Sequence, residues 1–323
     1  MPTPTDFATL PLPAPLLRAV TELGYPGMTE IQARTLPGLL AGGDLVARSR
    51  TGSGKTVAFA LPLLARVDLA RRRPQALVLC PTRELGAQVA ATIRTLGRHL
   101  PGLRVLLVSG GQPGGPQRRA LEEGVHVLVG TPGRVRDHVE RGSLDPHHIR
   151  VAVLDEADRM LDMGFQEDVE LILAGLPDER QTLFFSATYP RSIEEMSATW
   201  QRDPAHVVVE DPVEEAPTLR QVACVTEDRE SVLVALCQSH GPTLVFANFK
   251  ASAAALCDTL RGAGLAAAYL GGDLEQRDRD RILAQLRNRS IQVLVATDVA
   301  ARGLDVDDLA LVVNAELPPK PEV

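Results

Sequence analysis

With 323 residues, 45% hydrophobic and 23% charged, the chain has the composition of a globular protein long enough for two ordinary domains. Its formal net charge of −7 argues against the basic surplus of a general nucleic-acid binder, leaving room for a basic groove set in an acidic surface. No apolar run approaches the roughly 20 residues needed to span a bilayer, and Met1-Pro-Thr-Pro-Thr-Asp6 lacks the basic-then-apolar pattern of a secretory signal.

Along the chain, apolar β-branched runs alternate with stretches whose apolar residues recur every three or four positions. Strands are predicted at Asp44–Ser49, Ala76–Cys80, Arg104–Ser109, His126–Gly130, Val151–Leu154, Thr182–Ser186 and His206–Val209. Helical periodicity fills intervening segments such as Thr56–Val67, Leu85–His99 and Gly133–Arg141. Such alternation predicts an α/β fold: a parallel sheet with helices on both faces and ligands at the carboxyl ends of its strands. The pattern stops in an acidic, proline-rich stretch, Glu210–Pro217, and restarts with predicted strands at Gln221–Val225, Thr243–Ala247, Ala266–Leu270, Ile291–Thr297 and Leu309–Asn314. The expected organisation is therefore a domain over 1–210, a linker over 211–218 and a second α/β domain over 219–323. Cys80, Cys224, Cys237 and Cys257 form no Cys-x-x-Cys pair and suit reduced thiols in a cytoplasmic protein.

Two of the strand ends carry chemistry. The first predicted strand runs into Ser49-Arg50-Thr51-Gly52-Ser53-Gly54-Lys55-Thr56. Glycines at these positions let successive backbone N–H groups turn inward around phosphates, and the helix that follows adds its positive N-terminal end. Lys55 suits the β- and γ-phosphates of a nucleoside triphosphate and the Thr56 hydroxyl suits Mg²⁺. The run Val151–Leu154 ends in Asp155-Glu156-Ala157-Asp158. Asp155 suits the metal, and Glu156 suits orienting and deprotonating an attacking water. Read alone, this acidic cluster is also an ordinary helix start; together with the phosphate loop it points to an NTP hydrolase.

These residues resemble the DEAD-box RNA helicases, and further family signatures follow in order from Phe7 to Leu317. Gly24-Tyr-Pro-Gly-Met-Thr-Glu-Ile-Gln32 is similar to the adenine-reading Q motif, with Phe7 seventeen positions before Gly24 and Met28 in place of the usual proline. The resemblance implies that Gln32 pairs with adenine and that Phe7 contributes apolar packing there. Pro81-Thr82-Arg83, Gly110-Gly111 and Thr131-Pro132-Gly133-Arg134 match stretches that touch the RNA backbone without reading bases. Taken singly, Gln32 is an ordinary helix residue and these tripeptides are ordinary turns. Ser186-Ala-Thr188 resembles the motif that couples hydrolysis to unwinding, with its hydroxyls near Asp158. In the second half, Gln276, Arg279 and Thr297 are implied to touch RNA, and Gly303 and Asp305 to approach the nucleotide when the domains close. Gly271 stands where the family usually has histidine.

The resemblance implies two tandem RecA-like domains, ATP and Mg²⁺ as cofactors, RNA as partner and a monomeric enzyme that remodels short duplexes. Strings such as Gly110-Gly-Gln-Pro113 and Gly272-Asp-Leu-Glu-Gln-Arg-Asp-Arg-Asp280 are similar to the bacterial DEAD-box protein A branch, implying work on ribosomal RNA. The family continues past Leu317 into an arginine-rich segment whose side chains act on the γ-phosphate; this sequence ends at Val323. The expectation is a second domain truncated at its C-terminal end with weakened turnover. The alternative is a non-catalytic module that binds ATP and RNA.

Overall fold

A computed structural model describes residues 6–50, 52–209, 220–297 and 309–317. The chain divides into two compact units, Met1–Glu214 and Glu215–Val323. The expected linker over 211–218 lies outside the described residues.

The first unit begins with two helices, α1 (Ala14–Glu22) and α2 (Glu30–Ala41). A capping box starts α2, with Thr29 at its N-cap and Gln32 at its third position. The chain then alternates: β1 (Leu45–Arg48), α3 (Lys55–Arg66), β2 (Ala76–Leu79), α4 (Arg83–Leu96), β3 (Val105–Val108), α5 (Gly114–Glu122), β4 (Val127–Gly130), α6 (Pro132–Glu140) and β5 (Val151–Asp155). It closes with α7 (Ala157–Asp162), α8 (Gln166–Ala174), β6 (Gln181–Ser186), α9 (Arg191–Trp200) and β7 (Ala205–Val208). Every strand pairing is parallel, in the order β3-β4-β2-β5-β6-β1-β7.

The central strands are Val- and Leu-rich and buried on both faces, as a sheet sandwiched between helix layers requires. Two apolar clusters fill the two faces. One gathers Val78, Val153 and Phe185 against α1 to α4; the other gathers Leu79, Leu154 and Phe184 against α6 to α9. Neighbours along a strand thus point to opposite clusters, which is the two-residue period of the strand made visible. Helix α3 is buried from Val57 to Leu64, so the phosphate loop that opens it rests on a rigid central element.

The second unit has α10 (Arg229–Ser239), β8 (Thr243–Phe246), α11 (Lys250–Gly262), β9 (Ala267–Leu270), α12 (Gln276–Arg287), β10 (Val293–Ala296) and β11 (Leu311–Asn314). Its parallel sheet has the order β11-β8-β10-β9 among the described residues. One strand expectation fails. Gln221–Val225 forms no strand, with Val222 and Val225 exposed, because nothing among the described residues supplies a ladder to its backbone. Cys224 is exposed with it, while Cys80, Cys237 and Cys257 are buried thiols.

Candidate active site

The order β5-β6-β1 brings three loops together at one edge of the first sheet. Arg48 pairs with Ser186 and Asp155 with Phe185, so all three strands end within a residue of the same level. With strands about 4.8 Å apart, the phosphate loop after β1, Ser186-Ala-Thr188 after β6 and Asp155-Glu156-Ala-Asp158 after β5 stand side by side. The Ser49 N–H donates to the Ser186 carbonyl at 3.1 Å, carrying the β1–β6 ladder into the first residue of the loop.

Within the loop, Gly52 and Gly54 take φ of 81° and 96°. A side chain at Gly54 would also stand 2.5 Å from Gln32 Nε2 and 2.9 Å from Thr29 Oγ1, so this position requires glycine on two grounds. Lys55 is buried and its Nζ donates to the Ser49 carbonyl at 2.9 Å; the Ser49 and Ser53 hydroxyls lie 3.0 Å apart. Thr56 is the second residue of α3, half-buried beside Lys55, and Arg50 is exposed at the rim. Thr51 lies outside the described residues.

Asp155 is buried, and its carboxyl is pushed up to about 6. Burial is the main cause; Lys55 opposes it and the neighbouring Glu156 adds to it. Burial followed by the same two carboxylates pushes the Cys80 thiol up as well, so this cysteine stays protonated and inert. Glu156 holds left-handed backbone angles, φ 53° and ψ 53°, at the N-cap of α7. A non-glycine residue there carries strain of about 1–2 kcal/mol, a signature concentrated at functional sites. Asp158 is tied to the end of β6: its Oδ2 accepts from the Thr188 N–H at 2.8 Å and the Thr188 hydroxyl at 2.7 Å, and its N–H donates to Ser186 Oγ at 3.3 Å. These bonds join the first turn of α7 to the segment after β6.

The Q-motif residues sit behind the loop. The Thr29 N–H donates to Gln32 Oε1 at 3.0 Å, and Gln32 Nε2 donates to the Gly54 carbonyl at 3.1 Å. An amide has two N–H groups and two acceptor sites, so one of each remains after these bonds. Gln32 is a strut between α2 and the phosphate loop, a role its motif did not reveal. Phe7 is 3% exposed in the core, its ring centroid 6.3 Å from that of the partly exposed Tyr25.

The other half of the sheet, β3-β4-β2, carries the three remaining stretches at the same edge. After β2, Pro81 is buried and Thr82 caps α4, accepting from the Leu85 N–H at 3.2 Å; Arg83 opens that helix. After β3, Gly110 and Gly111 are exposed. After β4, Thr131 is the N-cap of α6, with Pro132 and Gly133 in its first turn. Arg134 Nη2 donates to the Gln112 carbonyl at 3.1 Å, bridging the second and third of these loops. The six loops form one row, three around Lys55 and Asp155 and three rich in hydroxyls, arginines and exposed glycine amides.

In the second unit, Gln276 begins α12 and Thr297 follows β10, 7% exposed. Arg279 Nη1 donates to the Gly271 carbonyl at 3.2 Å. Gly271 lies under a bond from the Tyr269 hydroxyl to Asp273 Oδ1 of 2.8 Å; a Cβ there would stand 1.9 Å from that hydroxyl. Glycine at this position is thus matched by a tyrosine two residues earlier. Gly303 and Asp305 lie outside the described residues. Among the described residues, no cluster of three His, Cys, Asp or Glu side chains suits a metal, and no helix is long and apolar enough to cross a membrane.

Comparisons with known proteins agree with this geometry. The profile of the DEAD/DEAH box helicase family matches residues 29–196, and that of the helicase conserved C-terminal domain matches residues 228–323. The ATP-dependent RNA helicase DbpA of Escherichia coli is 47% identical over 324 residues, covering 99% of this chain and 71% of that protein. The ATP-dependent RNA helicase DeaD of Mycobacterium tuberculosis is 42% identical over 314 residues, covering 97% of this chain and 56% of that protein. The chain thus spans between about half and 71% of these relatives' length. Among solved structures, Saccharomyces cerevisiae Dbp5 bound to RNA and ADP BeF3 has a TM-score of 0.87 at 30% identity, covering 98% of this chain and 82% of that one. A DEAD box protein from the hyperthermophile Methanococcus jannaschii has a TM-score of 0.62 at 36% identity, covering 98% and 87%. With two RecA-like parallel-sheet domains, both family profiles and a relative at 47% identity, the chain belongs to the DEAD-box RNA helicase family.

Proposed function

We propose that this chain couples ATP hydrolysis to the binding and remodelling of short RNA duplexes. The observation that carries this reading is the continuous row of six loops at one sheet edge, a nucleotide half built on β5-β6-β1 beside an RNA half built on β3-β4-β2. The residues present fit a magnesium-bound triphosphate. Gly52, Ser53 and Gly54 supply the phosphate cradle, Lys55 its charge, and Thr56 and Asp155 the metal ligands. Asp155 is a buried carboxylate that holds its proton up to about pH 6, a penalty that a hard divalent cation relieves. When bound, that cation neutralises charge on the phosphates. Glu156, held at a strained N-cap, orients and deprotonates the attacking water. Asp158, Ser186 and Thr188 carry the state of the nucleotide to the segment after β6. Gln32 spends one amide hydrogen and one acceptor site on the loop and keeps the other pair for adenine. Phe7 and Tyr25 form the apolar wall beside it.

On the RNA side, Pro81, Thr82, Arg83, Gly110, Gly111, Thr131, Pro132, Gly133 and Arg134 bind the sugar–phosphate backbone, which makes recognition independent of sequence. Gln276, Arg279 and Thr297 extend the same chemistry in the second unit. The likeness to the ATP-dependent RNA helicases DbpA and DeaD supports RNA as the partner. Ribosomal RNA as a target class, and a monomer acting in the cytoplasm, belong to the same proposal and rest on the resemblance of strings such as Gly110-Gly-Gln-Pro113 to the DbpA branch.

The test is steady-state ATP hydrolysis with and without single-stranded RNA, for the parent and for Glu156→Gln. The substitution is expected to lower turnover about 10²- to 10⁴-fold, the usual contribution of a general base, while nucleotide affinity stays at the parent value. Undiminished turnover would remove Glu156 from the mechanism.

A further inference from the structure

Beneath the exposed Gly110-Gly111 turn lies a buried polar relay that belongs to none of the signature stretches. Gln117, 4% exposed on α5, donates its Nε2 to the Ser109 carbonyl at 3.2 Å. A carbonyl only accepts, so this bond fixes the amide's orientation and turns Gln117 Oε1 toward His138 Nε2, 3.0 Å away. His138 is 3% exposed on α6 and must therefore carry its proton on Nε2. Its Nδ1 faces the Ser143 hydroxyl at 2.8 Å, and its own carbonyl accepts the N–H groups of Ser143 and Leu144, each at 3.0 Å. Burial, then Arg134, hold the imidazole below its usual pKa range, which keeps Nδ1 available as an acceptor.

The relay joins two of the loops assigned to RNA. Ser109 is the residue immediately before Gly110-Gly111, and His138 lies one turn beyond Thr131-Pro-Gly-Arg134 on the same helix. A double-glycine turn has the largest backbone freedom to lose when a ligand orders it. Pinning its base from below removes part of that loss before RNA arrives. Among the described residues, the other side-chain link between these loops is Arg134 to the Gln112 carbonyl at the surface, and RNA phosphate competes for that guanidinium. The buried link has no such competitor.

We propose that His138 and Gln117 are positioning residues for RNA, locking the Gly110-Gly111 turn at a fixed place relative to the N-terminus of α6. The proposal rests on the assignment of those two loops to RNA. Freeing about one backbone residue weakens binding by about tenfold.

Two substitutions at His138 separate this role from general support of the core. Glutamine reaches as far as Nε2 and keeps a donor toward Gln117; asparagine reaches only as far as Nδ1 and keeps the bond to Ser143. Affinity for a fluorescein-labelled single-stranded oligouridylate is measured by anisotropy in the presence of a non-hydrolysable ATP analogue, with thermal unfolding recorded on each variant. His138→Asn is expected to weaken RNA binding about tenfold, and His138→Gln to stay within about twofold of the parent. Gln117→Leu, which cuts the relay from the other side, should match His138→Asn. Equal RNA affinity across all three folded variants overturns the proposal, as does a loss that follows melting temperature alone. Arg134→Ala guards the assignment beneath it. If Arg134→Ala also leaves RNA affinity unchanged, the RNA track itself is misassigned; if only Arg134→Ala weakens binding, the relay alone is refuted.

Discussion

The two halves of the first sheet present their loops along one edge, yet hold them by opposite means. Around β5-β6-β1 the loops are fastened by buried charge: Lys55 on the Ser49 carbonyl, Asp158 on Thr188, and Asp155 with its carboxyl pushed up to about 6. Around β3-β4-β2 the buried fastenings are neutral, Thr82 to Leu85 and His138 through Gln117 to Ser109, and the charged link from Arg134 to the Gln112 carbonyl lies at the surface. The difference follows from the ligands assigned to each half. A triphosphate with its metal brings charge that offsets buried carboxylates and ammonium, so that half is built under electrostatic tension. An RNA backbone slides between registers and needs donors at fixed spacing, so that half is built for shape.

The comparison can be broken most directly at Asp155. Its carboxyl is raised from 3.8 to about 6, so above pH 6 the ligand-free fold carries about 3 kcal/mol of penalty. A raised acid stabilises the fold as pH falls, so this penalty shrinks from pH 6 downward and is gone below about 4. Asp155→Asn is therefore expected to raise the melting temperature of the ligand-free protein at pH 7 and to make no difference near pH 4. An unchanged or lower melting temperature at pH 7 would deny the tension. Next in size, Gly54→Ala should cost about 1–2 kcal/mol from its positive φ, and more from the 2.5 Å approach to Gln32 Nε2. Denaturant titration reads this loss, and a neutral result would show that the Gln32 strut is dispensable.

On the other half, Arg134→Ala should change stability by no more than about 0.5 kcal/mol. It should weaken RNA binding about tenfold and flatten the plot of log affinity against log salt by about 0.7, the share of one phosphate contact on a single strand. A salt slope equal to the parent's would place Arg134 off the backbone. The smallest effect is expected at Ser109, whose hydroxyl is buried without a hydrogen-bond partner among the described residues. Ser109→Ala should leave unfolding unchanged or stabilise it by up to about 1 kcal/mol; destabilisation beyond that would reveal a partner for the hydroxyl.

Much of this was legible in the residues because each signature sits at a strand end, where apolar runs stop and chemistry begins. The phosphate loop, Asp155-Glu156-Ala-Asp158 and Ser186-Ala-Thr188 read correctly as neighbours of strands. That the Ser186 and Thr188 hydroxyls lie near Asp158 came from the family resemblance; the residues alone do not show that the phosphate loop joins them, since β1 and β6 pair across more than 100 residues of sequence. Gln32 was legible as a polar residue in a motif, but its bond to the Gly54 carbonyl joins segments that only folding brings together. His138 and Gln117 gave no signal at all: one histidine and one glutamine on amphipathic helices look like surface residues until their partners are known. The run Gln221–Val225 erred in the other direction, since alternation describes a strand's faces and says nothing of whether a neighbour exists to pair with it.

The central claim is that one sheet edge holds two separable half-sites that act together. It is tested by measuring nucleotide turnover and RNA affinity on the same preparations of the parent, Glu156→Gln and Arg134→Ala. The account predicts a crossed result. Glu156→Gln should lose turnover about 10²- to 10⁴-fold and keep RNA affinity, while Arg134→Ala should bind RNA about tenfold more weakly and keep RNA-free nucleotide affinity. Turnover that survives Glu156→Gln, or RNA affinity that survives Arg134→Ala, would contradict it.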